Sequence, residues 1–188
     1  MWLLILGWIL FLSAHLSPGV FGLRDTLVGK LGEQRFLGLY IATSVSGMVC
    51  IIAGKLIAPT VHVWIPPYWG AQVTGVFVLL GCILFMGLPF PTNLRRLTHH
   101  PMLLGMACWG VGHLFANGDL ASILLFGGFA GYALISYWSL HRRGKTGDST
   151  KYALWQDGLV VLAGVLAYGA LLWLHPYFSG VEVLRNSV

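Results

Sequence analysis

Charge is the scarcest property of this sequence. Asp, Glu, Lys and Arg make up 9% of its 188 residues, against roughly 25% in a typical soluble domain. Too few charged side chains are present to coat a water-exposed globule, and hydrophobic residues account for 57% of the chain. The six acids (Asp25, Glu33, Asp119, Asp148, Asp157 and Glu182) all fall in or beside polar stretches. No carboxylate is therefore expected at mid-membrane depth, which argues against a proton-relay pump. Cysteine is sparse too. Cys50, Cys82 and Cys108 sit in apolar runs, and their odd number and lack of CxxC spacing argue against a disulfide framework. They read as small buried residues. HExxH, P-loop and GxSxG patterns are missing, as are paired carboxylates, so the hydrolase chemistries those motifs carry have no support.

What remains is a succession of long apolar runs. The pattern predicts an all-α, polytopic membrane helix bundle of about six transmembrane helices in a single domain over 1–188. Helices are expected over 2–20, 36–58, 70–88, 101–117, 120–140 and 157–174. The first run lacks a positive leading region and a small-residue cleavage site, so it reads as a span and not as a removable signal. Leu23, Leu27 and Leu31 recur every four residues between charged positions, which predicts a short amphipathic helix on the membrane surface over 22–35. Trp64, Tyr68 and Trp69 with three prolines mark an interfacial loop. Pro101 suits a first helical turn. Asn117-Gly118 reads as a helix stop and Asp119 as the next N-cap, so the fourth and fifth helices should form a tight hairpin. The Gly127/Gly131 spacing suggests close helix packing on the fifth.

Basic residues are distributed unevenly. The loops after the first, third and fifth helices hold Arg24, Lys30, Arg35, Arg95, Arg96, Arg142, Arg143, Lys145 and Lys151, whereas the opposite side holds Lys55 and Arg185. Positive charge collects on the cytoplasmic side, so both termini are expected outside. The net charge of +5 then points to anionic lipid headgroups and not to nucleic acid.

The stretch from Asn93 to Ser122 concentrates the polar, metal-capable groups: Arg95, Arg96, His99, His100, His113 and Asn117. Such groups in an apolar helix need a partner or a function. His62, His141, His175 and one of the His99/His100 pair sit where a ring can meet water. His15 lies five residues, about 7 Å, from the inner end of the first helix, and His100 opens the fourth helix from that same end. Two imidazoles at one depth on different helices are what a haem iron takes as axial ligands, and Arg24, Arg95 and Arg96 lie at the same face as candidate propionate partners. A histidine bonded to a helix carbonyl is the alternative. His113 lies 13 residues past His100, about 220° round the helix, so it faces elsewhere and reads as a pocket or core residue, with Asn117 one turn beyond.

The AHLSPGVFGLRD segment, the LRRLTHHPMLLGMACWGVGHLFANGDLAS stretch and the FGGFAGYALIS helix resemble the NnrU family over most of the chain. That family is named for an association with nitrite and nitric oxide reduction in denitrifying bacteria. It is similar to the plant 15-cis-zeta-carotene isomerase, a haem b membrane enzyme of carotenoid metabolism. The resemblance implies haem b as cofactor, with His15 and His100 matching the isomerase's ligand histidines and His113 a later one. Two positions depart from the isomerase: His99 stands where it has Arg, and Leu97 where a cysteine would be expected. The departure at Leu97 leaves a redox-driven ligand exchange without its residue.

Three functions are consistent with these features. One is a haem-dependent cis–trans isomerase of a lipophilic polyene in the bacterial inner membrane. Another is a non-catalytic accessory or redox- or NO-responsive factor for nitrite and nitric oxide respiration. The third is an S-adenosylmethionine-dependent methyltransferase, suggested by His100-Pro101-Met102, for which Asp148 and Asp157 are the available acids.

Overall fold

The computed structural model describes residues 1–19, 23–145 and 150–183. Val20, Gly22, Asp148 and Arg185, used above as a helix end, a segment start, an acid and a basic residue, lie outside the described residues. The chain is helical: α1 (Trp2–Gly19), α2 (Arg24–Leu31), α3 (Glu33–Leu56), α4 (Gly70–Met86), α5 (Leu94–Thr98), α6 (Pro101–Ala116), α7 (Leu120–Ser122), a π turn (Ile123–Gly127), α8 (Gly128–Arg142) and α9 (Leu154–Ser179). Among the described residues the only β-type pairing is an isolated bridge between His62 and Asp119.

Among the described residues three stretches are long and apolar enough to cross a bilayer: Glu33–Leu56, Leu120–Arg142 and Leu154–Ser179. Trp2–Leu16, Gly70–Met86 and Pro101–Ala116 are apolar but shorter; α6, at 16 residues, covers about 24 Å. Only 11% of the apolar window is buried in α3 and likewise in α9. Faces that apolar and that bare require a lipid environment or another chain.

Pairwise packing runs α9 on α4, α4 on α6, α6 on α8, α8 on α1 and α1 on α3. Close approach explains the strength of two of these seams. A Cβ on Gly47 would lie 2.7 Å from the Phe11 backbone nitrogen, and a Cβ on Gly105 would lie 2.9 Å from the Gly81 carbonyl. The core forms where α1, α3 and α8 meet, from Leu4, Trp8, Phe11, Ile51, Ala121 and Phe129, with Trp8 and Phe129 edge to face at 4.8 Å.

Several boundaries differ from expectation. The fifth predicted helix is interrupted by the π turn. α9 starts earlier and runs longer than 157–174, carrying Pro176 in its last turns before Gly180 closes it at φ 72°. α5 was not foreseen. The close glycine on α8 is Gly128, whose Cβ would strike the Trp8 indole, while Gly127 and Gly131 face open space. Asp119 does cap the following helix, accepting from the Ser122 backbone N–H at 2.9 Å. α2 spans only Arg24–Leu31 of the expected 22–35 segment and has no buried residue.

The contacts also sort the helix ends. Gly54 approaches Leu4, Gly70 approaches Phe115, and the 57–69 loop is bonded to the Asn117–Leu120 turn through Val61, Val63 and Trp64. At the other end Asn93 is bonded to Asp157 and Tyr152, and His100 to Lys145.

Candidate functional site

The basic end carries a cavity of about 430 Å³ lined by His15, Arg24, Glu33, Phe36, Leu37, Tyr40, Arg143 and Lys145. α1 contributes His15 near its C-terminal end, α2 and α3 the Arg24–Glu33 pair, and the segment after α8 the two further cations. Its chemistry is mixed: aromatic and apolar on the α3 side, cationic at the rim.

His15 is tightly oriented. Its ring stacks on Phe11 at 4.1 Å and 22°, and Tyr40 and Tyr132 lie 5.4 and 5.5 Å away. Nδ1 is 3.0 Å from the Phe11 carbonyl. A carbonyl oxygen only accepts, so Nδ1 carries the proton and the neutral ring keeps its lone pair on Nε2. That tautomer, fixed by a backbone carbonyl, is the form in which histidine ligates a metal.

His100 lies at the same end. Its Nε2 donates to the Lys145 carbonyl at 2.7 Å, and Tyr137 meets it edge-on at 6.0 Å. Lys145 thus joins the two histidines, lining the His15 cavity and holding the His100 ring. In the neutral His100 ring the lone pair is on Nδ1.

The predicted arginines separate into two groups. Arg24 is at the cavity, 3.4 Å from Glu33 and over Phe36 at 6.0 Å. Arg95 instead donates Nε to the Gly87 carbonyl at 2.9 Å and a further N–H to the Leu88 carbonyl, closing the end of α4. Arg96 stands near enough to Asp157 for their charges to attract. Asp157 is itself a clasp. It accepts from Thr92 Oγ1 at 2.6 Å, from the Asn93 N–H at 2.8 Å and from Asn93 Nδ2 at 2.7 Å.

His113 lies toward the other end. It stacks on Phe126 of the π turn at 4.3 Å and 18°, and Nδ1 donates to the Trp109 carbonyl at 2.8 Å. Asn117 donates to the His113 carbonyl at 2.8 Å. This side chain does not line the cavity at the basic end. π turns recur at functional positions, and here the turn presents Phe126 to a histidine.

The sequence reading missed Tyr40, Tyr132, Arg143 and Lys145 as neighbours of the site. Arg143 and Lys145 were visible as loop charges on the side of His15; nothing local marks the tyrosines, since their approach depends on how α1, α3 and α8 meet. Among the described residues, no group of three or more His, Cys, Asp or Glu side chains is arranged to hold a metal ion.

A bundle of apolar helices with a cationic, histidine-bearing cavity at one end defines a helical membrane protein with a polar cavity at its basic face. A family model described as NnrU protein matches residues 3–183, and the chain belongs to the NnrU family. No curated protein and no solved structure matches it.

Proposed function

We propose that this chain is a six-span protein of the bacterial cytoplasmic membrane, its basic end in the cytoplasm and its termini outside, and that it binds haem b at the basic end. The sidedness rests on charge. Arg24, Lys30, Arg35, Arg95, Arg96, Arg142, Arg143, Lys145 and Lys151 belong to the end of the bundle that holds His100, and Lys55 to the other. Such asymmetry sets orientation during insertion.

The carrying observation for haem is His15, whose Nδ1–H is committed to a backbone carbonyl beside a cavity rimmed by Arg24, Arg143 and Lys145. Its donor set suits the group: a neutral imidazole lone pair for iron, aromatic walls for the macrocycle and guanidinium and ammonium groups for propionates. His15 would hold the iron through Nε2, and His100 would supply a second imidazole, through Nδ1 or after Lys145 releases Nε2. Arg24, Arg143 and Lys145 would hold the carboxylates, while Arg95 and Arg96 secure the corner that carries His100. Haem bound there would supply an iron centre for electron transfer. Phe11 fixes the plane of the His15 ring, and Tyr40 and Tyr132 close its sides against water.

The test is an absorption spectrum of detergent-purified protein expressed with a haem precursor, oxidised and reduced. A Soret band that vanishes in His15→Ala and shifts in His100→Ala is expected. No band, or one unchanged in His15→Ala, overturns the reading. Conversion of a cis polyene by haem-loaded protein in vesicles separates the isomerase role from an accessory role in nitrogen-oxide respiration. For the methyltransferase alternative, Asp157 already has both carboxylate oxygens engaged, and no heat is expected on titration with S-adenosylmethionine.

A further inference from the structure

His99 combines two costly features. Its backbone sits at φ 59°, ψ −46°, and among the described residues it is the one non-glycine residue with positive φ. This region is rarely populated and persists where the surroundings enforce it, most often at functional positions. Its Nδ1 is also buried without a hydrogen-bond partner, and an orphaned buried polar atom is destabilising unless something else satisfies it. The kink closes a tight turn in which the His100 N–H donates to the Thr98 carbonyl at 2.6 Å, so it directs the chain into α6 while leaving the His99 Nδ1 without a partner.

A second imidazole is in reach. The His141 ring at the end of α8 has its centroid 6.0 Å from that of His99, with the planes 42° apart. Two ring nitrogens bound to one ion at 2.0–2.1 Å place the centroids roughly 5 Å apart for a tetrahedral angle and about 6.4 Å for a linear one. The observed spacing lies inside that interval. His141 is exposed, which leaves a path for an ion and positions for water. The basic residues beside it are turned to other partners: Arg142 covers the Trp138 ring at 4.1 Å, and Arg143 donates to the Ser139 carbonyl at 3.2 Å.

We propose that His99 and His141 form a site for a transition-metal ion of the class that favours imidazole, zinc or copper, separate from the cavity at His15. The pair would clamp α8 to the start of α6, and the ion would occupy the orphaned face of His99. The site stands or falls independently of the haem reading, because it is tested on haem-free protein.

Full-length protein in detergent, stripped of metal, is titrated with zinc sulfate and followed by calorimetry and by melting temperature. One zinc per chain is expected. Affinity should drop at least tenfold in His141→Ala and in His99→Gly, and stay unchanged in His15→Ala. The glycine variant also reports on folding, because glycine accepts positive φ; it should melt at or above the wild-type temperature without zinc. Absence of zinc binding by the wild type at millimolar concentration overturns the proposal. So does wild-type affinity in either His99→Gly or His141→Ala, or lost affinity in His15→Ala.

Discussion

Removing the Lys55–Asp119 pair should loosen the end of the bundle opposite the basic loops by an amount the structure allows to be worked out. Lys55 Nζ lies 3.1 Å from Asp119 Oδ1 and 2.7 Å from Ser122 Oγ. At that separation and an effective dielectric of about 20, the gross attraction is about 5 kcal/mol. The side chains keep 31% and 20% of their exposure, so desolvation and residual screening remove most of it, leaving about 1–2 kcal/mol net. A double-mutant cycle of Lys55→Met and Asp119→Asn, read by reversible denaturant unfolding, should return a coupling of that size, a five- to thirtyfold change in the folded ratio. Burial raises the Asp119 pKa, but its bonds to Ser122 and Lys55 outweigh this and leave it lowered from 3.8. The sign follows from linkage: a depressed carboxyl contributes stability above its unfolded pKa and loses it as pH falls through the folded value. The coupling should therefore be intact at pH 5 and above and fade below about pH 4. Coupling under about 0.3 kcal/mol, or one unchanged at pH 2, would refute this account.

Gly128→Ala should destabilise by about 1–3 kcal/mol because its methyl meets the Trp8 indole. Gly131→Ala, facing open space, should instead stabilise by about 0.5–1 kcal/mol through helix propensity; parallel melting curves compare the two. Thr92→Val removes the hydroxyl donor to Asp157 in a fully buried position and should cost about 1–3 kcal/mol, seen as a lower melting temperature. A reporter that works only in the cytoplasm should be active when fused after Lys145 and inactive when fused after Ile57.

The helix plan was legible because apolar run lengths and a few stop signals, Pro101 and Asn117-Gly118 above all, are local. Asp119 was readable as a cap for the same reason. The π turn was not, since its residues look like any buried helix and its cause is packing: Gly110 comes against the Phe126 carbonyl. The Gly127/Gly131 spacing fits a packing motif, yet the neighbour, Trp8, meets Gly128. At the cavity, that His15 and Arg24 share one end of the bundle was legible from their places in the helix pattern. The roles of Arg95 and Asp157 could not, because each depends on partners that sequence separation hides.

The row of helices is not the order of synthesis. α3 packs on α1 and α2, α4 waits for α6, and α9 returns to α4. α1 and α3 can thus settle as a pair soon after synthesis, while α4 has no lasting neighbour until α6 is made. The join between α1 and α8 can form only once α8 has been made, and that join is also where Phe11, His15 and Tyr132 meet. The surroundings of His15 are therefore completed only after most of the chain has been made.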